Sequence, residues 1–218
     1  MKGLRIAIDG PSGAGKSTLA RALATRLGLP YVDTGAMYRA LALASLRGAA
    51  AAPDAVVGLL ADIDLRIDPD PAAFRVLLGG QDISPELRST EVSMRASEIA
   101  QIPEVRAWLV DRQRRAAEHG AVVEGRDIGE KVLPDADLKL FVTASEAVRI
   151  GRRAAQIGDG DSARLDQEIR ERDRRDRERK ASPLRIPADA VVIDTSEESP
   201  EASLARILAQ VQELRADG

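Results

Sequence analysis

The chain has 218 residues, of which 44% are hydrophobic but only 2% aromatic, a composition that suits one α/β domain with an aliphatic core. Charged residues make up 31% yet sum to a net charge of −3, so no basic excess points to nucleic acid or an anionic membrane, and rings for base stacking are scarce. The absence of cysteine excludes disulfides and thiolate metal sites. Leu4–Asp9 reads as a buried strand from the start, which leaves no room for a signal peptide, and no apolar stretch is long enough to span a bilayer. A soluble, cytoplasmic protein is the expectation.

That first strand runs into Gly10-Pro11-Ser12-Gly13-Ala14-Gly15-Lys16-Ser17, followed by Thr18, and fits the pattern G-x-x-x-x-G-K-S/T. Missing side chains let successive backbone N–H groups curl around a polyphosphate, and a following helix over Lys16–Leu27 turns the positive end of its dipole to the same point. Lys16 would reach the β- and γ-phosphates and the Ser17 hydroxyl would ligate Mg²⁺. The segment therefore predicts binding of a nucleoside triphosphate.

Further along, strands are predicted near Tyr31-Val32 and at Ala121–Glu124, Leu138–Val142 and Ala190–Ile193. Helices are predicted over Ala36–Leu46, Pro103–Glu118, Ser145–Gln156, Asp166–Arg179 and Pro200–Leu214. Alternating strands and helices mean a parallel sheet wrapped by helices. Between them, Ile63–Asp68 and Phe74–Leu78 alternate with period two around Pro69 and Pro71, and Gly79-Gly80 leads into a short strand at Gln81–Ile83, so a small antiparallel sheet is inserted there. Trp108 lies on a helical apolar stripe and belongs to the core, and His119, the only histidine, reads as a solvated helix-end residue.

The run Glu168–Lys180 is densely charged, with Arg172, Asp176 and Arg179 on one helical face by their spacing. From physics alone it reads equally as a solvated helix laced with i,i+4 pairs or as a mobile lid over a triphosphate. Arg149, Arg153, Arg170 and Arg174 are candidates for the triphosphate side, with Arg170 better read as solvated charge.

Three reaction classes can use a phosphate loop. A switch GTPase should carry D-x-x-G and N-K-x-D, and neither is present. A motor or transporter ATPase would place a carboxylate at a strand end, which Glu124 allows. A small-molecule kinase needs an acceptor pocket and cationic groups, and the arginine supply favours it, because positioning and charge neutralisation do most of the work in phosphoryl transfer. A phosphate acceptor, with a second pKa near about 6, needs no general base. A hydroxyl acceptor would want a positioned Asp such as Asp33 or Asp127.

Four segments together are similar to one family: Ile8–Ser17, Asp33-Thr34-Gly35-Ala36-Met37-Tyr38-Arg39, Glu124-Gly125-Arg126-Asp127-Ile128-Gly129 and Glu171–Arg177. The chain resembles the bacterial cytidylate kinases from its first strand to its last helix. The resemblance implies a P-loop NTPase fold with a core of residues 1–34, 98–157 and 182–218, an acceptor-binding insert of about 35–97 and an arginine-rich helical lid of about 158–181. It implies transfer of the γ-phosphoryl of ATP to CMP or dCMP with Mg²⁺, by a monomer, with Lys16, Arg126 and Arg174 catalytic. Arg39, Arg126 and Arg106 would hold the acceptor phosphate. Asp127 would accept from the cytosine N4 amino group, while Ser97, Arg106 and Arg179 serve the other edge. Arg172 and Asp176 would face the ribose, and Thr34 and Tyr38 would line the pocket. A kinase for UMP or a hydroxyl metabolite, or a switch NTPase, are the alternatives. Thr34 and Glu124 stand where some members carry Ser and Asp, which keeps the hydroxyl and the charge.

Overall fold

The computed structural model describes residues 3–157, 167, 170, 171, 173–175, 178 and 183–216. Its main sheet is built from β1 (Arg5–Asp9), β2 (Tyr31–Asp33), β6 (Ala121–Glu124), β7 (Leu138–Thr143) and β8 (Val191–Asp194), in the order β2-β6-β1-β7-β8. Every pairing in it is parallel. Strands covered on both faces should be apolar almost throughout, and β6, Ala-Val-Val-Glu, is buried at all positions.

Alternation along the strands feeds two cores. Ile6, Ile8, Tyr31, Val122 and Leu140 face α1 (Lys16–Leu27) and α7 (Pro200–Ala216). Ala7, Val32 and Val123 face the opposite way, toward α2 (Thr34–Arg47), α4 (Thr90–Ile99) and α5 (Pro103–Ala116). Large side chains such as Ile6, Leu23 and Leu109 are fully buried, each worth about 1.5–3 kcal/mol. α6 (Glu146–Ile157) follows β7.

The chain leaves β1 for the edge strand β2, beyond β6, and only later returns to lay β7 and β8 on the other side of β1. β1 therefore ends at a topological switch point, where open α/β sheets offer a crevice. The expected inserted sheet is present as β3 (Leu65–Asp68), β4 (Arg75–Leu78) and β5 (Gln81–Asp82), paired antiparallel. Gly79 and Gly80 turn β4 into β5 with φ of +56° and +80°, the left-handed pair that a two-residue type I′ hairpin requires. The insert docks on the core at Tyr31, whose N–H donates to Pro69 O at 2.8 Å and whose ring meets the edge of Phe74 at 5.1 Å.

Sequence patterning missed α3 (Pro53–Leu59), α4 and a 3-10 turn at Ser84–Arg88. α3 buries only Val56, so it has no stripe to read. α4 did leave a signal: Ser89 caps it by accepting from Val92 N, and the buried Val92, Ala96 and Ile99 recur at helical spacing. α2 begins two residues before its predicted start, because the Asp33 carboxylate caps it by accepting from Ala36 N at 2.8 Å. Among the described residues no helix is long and apolar enough to cross a membrane.

Candidate active site

The phosphate loop starts where β1 ends, and its three glycines, Gly10, Gly13 and Gly15, all take positive φ, which favours glycine. A Cβ on Gly10, at φ +146°, would stand 1.9 Å from Val142 O. Gly15, at φ +88°, turns the chain into α1. Lys16 is buried and arches back over the loop, donating to Pro11 O at 2.7 Å. Ser17 and Thr18 lie exposed in the first turn of α1, and Ser17 is close enough to the Glu124 carboxylate to favour its charged form.

Two arginines of α6 brace the loop. Arg149 donates to Ser12 O at 3.2 Å and to Asp173 Oδ2 at 2.6 Å, in a pair whose side chains are nearly fully buried. Arg152 grips Thr195 through its hydroxyl and its carbonyl, both at 2.8 Å, and that hydroxyl lies 3.0 Å from Ala14 O. Sequence reasoning named Arg149 but missed Arg152 and Thr195, since neither belongs to a motif and β8 brings Thr195 to the loop from 181 residues away.

Carboxylates close three neighbouring strands: Asp33 on β2, Glu124 on β6 and Asp9 on β1. Burial, then the charge of Asp33, pushes the Glu124 carboxyl up, while Lys16, Ser17 and Tyr31 pull it down. The Tyr31 hydroxyl donates to Glu124 Oε1, and burial beside Glu124 and Asp33 raises that phenol far above its ordinary value. Asp9, 1% exposed, is pushed up to about 6, mainly by burial. Its two oxygens accept from Ile128 N at 2.7 Å and Gly129 N at 2.8 Å, which work against that rise.

Those amides open a π-helical turn, Ile128–Val132, that directly follows Arg126 and Asp127. Asp127 and Arg106 of α5 form a largely buried ion pair. Arg39 pairs with Asp33 at 3.0 Å, and Thr34 Oγ1 donates to Glu124 O at 2.7 Å. Arg126 is half-buried, with one guanidinium N–H on Gly125 O at 3.2 Å. Tyr38 on α2 and Ser97 on α4 are half-buried, and those two helices pack together.

In the charged segment expected to form a lid, Arg174 is 58% exposed and held by Glu171 and Glu178, whereas Arg175 is 27% exposed and bonds Glu171 at 2.8 Å. Arg170 pairs with Glu146 at 3.0 Å. Arg172, Asp176, Arg179 and the Arg153 side chain lie outside the described residues. Trp108 packs on the core with the Arg112 guanidinium 3.3 Å from its ring centre, and His119 is exposed.

A family model described as cytidylate kinase matches residues 6–213. The chain belongs to the cytidylate kinase family. Among relatives, the cytidylate kinase of Methylococcus capsulatus is 47% identical over 214 residues, covering 95% of this chain and 96% of that one. The cytidylate kinase of Rhodococcus opacus is 45% identical over 218 residues, covering 96% and 95%. A solved structure of an uncharacterized protein from Eubacterium ventriosum is similar in fold, with TM-score 0.53 and 12% identity over 96% of this chain and 98% of that one. Membership makes this chain a nucleotide-dependent phosphotransferase, and the switch-NTPase alternative falls away. The P-loop α/β architecture with a small antiparallel sheet accords with the family.

Proposed function

We propose that the chain transfers the γ-phosphoryl of ATP to CMP or dCMP, giving ADP and CDP or dCDP, as a cytoplasmic monomer in pyrimidine nucleotide metabolism. The observation that carries this reading is the buried Arg106–Asp127 pair next to Arg126, just before the turn Ile128–Val132. A carboxylate and a guanidinium held side by side match a cytosine edge, with the N4 amino group donating to Asp127 and N3 and O2 accepting from Arg106. Uracil would set a carbonyl against that carboxylate and lose affinity.

Gly10 to Thr18 would cradle the donor phosphates through backbone N–H groups, and Lys16 would exchange Pro11 O for the bridging and γ-oxygens. Arg39 and Arg126 would hold the acceptor phosphate by bidentate contacts, Arg39 leaving Asp33 to do so. That phosphate is ionised at neutral pH, so no side chain need take its proton. Thr34 and Tyr38 would wall the pocket, Ser97 and Arg179 would complete base recognition, and Arg172 and Asp176 would meet the sugar. Arg174 would act catalytically only by giving up Glu171 and Glu178 as the lid closes and excludes water. Ser17 with Glu124 beside it is an all-oxygen set suited to Mg²⁺. Bound there, Mg²⁺ would neutralise charge on the donor phosphates.

ADP release measured across CMP, dCMP, UMP, AMP and GMP tests the assignment. Turnover with CMP and dCMP far above the others is expected; preference for UMP or AMP overturns it.

A further inference from the structure

The Asp9 carboxylate, to which the proposed function gives no ligand contact, ties the root of the phosphate loop to the turn that follows Arg126 and Asp127. It stands directly before Gly10 and is 1% exposed. Across 119 and 120 residues of sequence, its oxygens receive the consecutive N–H groups of Ile128 and Gly129. Charge-assisted bonds of this kind are short and about twice as strong as neutral ones. The opposite end of the same turn is fastened by Arg114, which donates to Val132 O at 3.0 Å and Lys131 O at 2.7 Å. With both ends held, Asp127 N-terminal to the turn has little freedom to shift relative to the loop. The geometry also has a cost, since burial and the nearby Asp127 charge oppose ionisation of Asp9, against the two amides and Lys16 that favour it. A buried carboxylate that served packing alone would be better replaced by an apolar residue.

We propose that Asp9 is a positioning residue that locks the acceptor-reading turn to the phosphate loop, setting the distance and orientation between the two substrates. The proposal rests on Asp127 and Arg126 being acceptor-binding groups. In Asp9→Asn one carboxylate oxygen becomes an N–H₂ that faces an N–H, so one clamp bond is lost with little change of volume.

The test measures, at pH 7.5, the affinity of Asp9→Asn for CMP and for a non-hydrolysable ATP analogue by calorimetry, together with kcat and both KM values. CMP affinity is expected to fall about tenfold, with the analogue within twofold, because one charged hydrogen bond is removed from the acceptor side only. Unchanged CMP affinity, or equal losses for both ligands, overturns the proposal. If the variant does not fold, the wild-type Ile128 and Gly129 amide resonances are followed by NMR from pH 4.5 to 8. A titration shared with the Asp9 carboxyl supports the clamp, and amides that do not respond refute it. Asp127→Ala run in parallel separates the two readings: unchanged CMP affinity there removes the acceptor assignment, while the NMR result still judges the clamp itself.

Discussion

Tyr31 and Glu124 lie on adjacent strands of the main sheet, and the phenol donates into a carboxylate that is only 3% exposed. Behind the phenol, the Arg21 guanidinium sits 5.1 Å from the Tyr31 ring centre and 5.9 Å from that of Phe74, which immediately precedes β4 of the insert. The strand-end carboxylate is thus braced by the very residue on which the insert docks.

Tyr31→Phe keeps the ring and removes this bond. Glu124 then loses one of the groups that favour its charge, so stability should fall by about 1–3 kcal/mol, as for a buried acceptor deprived of its donor. Urea unfolding measures that loss, and the Mg²⁺ concentration giving half-maximal turnover should rise. A variant with wild-type stability and Mg²⁺ dependence would show that Tyr31 does not support Glu124.

Lys16→Ala removes the cation that arches over the loop. Turnover should drop by about a hundredfold or more, since a preorganised charge on a transferring phosphoryl is worth several kcal/mol. CMP affinity should stay within a fewfold of wild type, because the lysine serves the donor side. Steady-state kinetics and CMP calorimetry check both halves.

Asp127→Ala should reduce kcat/KM for CMP by about tenfold or more while leaving UMP nearly unchanged, because uracil offers no amino donor to lose. Equal losses for both nucleotides would mean that Asp127 does not read the base. The change also leaves Arg106 buried without its partner. A loss of about 3–5 kcal/mol in stability is expected alongside, so the kinetics are taken well below the melting temperature.

The raised pKa of Asp9 has a sign that stability measurements can read. Its carboxyl moves from an ordinary 3.8 to about 6 in the folded chain, so across that window the native state binds more protons than the unfolded one. Stability should therefore fall as pH rises from about 4 to about 6, relative to Asp9→Asn, by an amount on the order of 3 kcal/mol, and level off above. Urea melts of both proteins through this range give the difference; a flat difference would show that Asp9 ionises normally. The group is most useful as an acceptor of two amides in the form that costs the fold most.

The four motif segments made the family and the phosphate loop legible before any coordinates, because a polyphosphate cradle needs glycine, lysine and hydroxyl at fixed spacing along a single stretch of chain. The inserted sheet was legible for a similar reason: period-two alternation and Gly79-Gly80 act over neighbouring residues. Tertiary structure alone decided which groups meet across distance. Thr195 reaches Ala14, Asp9 reaches Ile128 and Gly129, and Tyr31 reaches Glu124 only because the order β2-β6-β1-β7-β8 lines up strand ends far apart in sequence. Residues that touch a ligand follow local rules of spacing and so can be read in a line of letters. Residues that hold them in place depend on strand order and burial, which exist only once the sheet has formed.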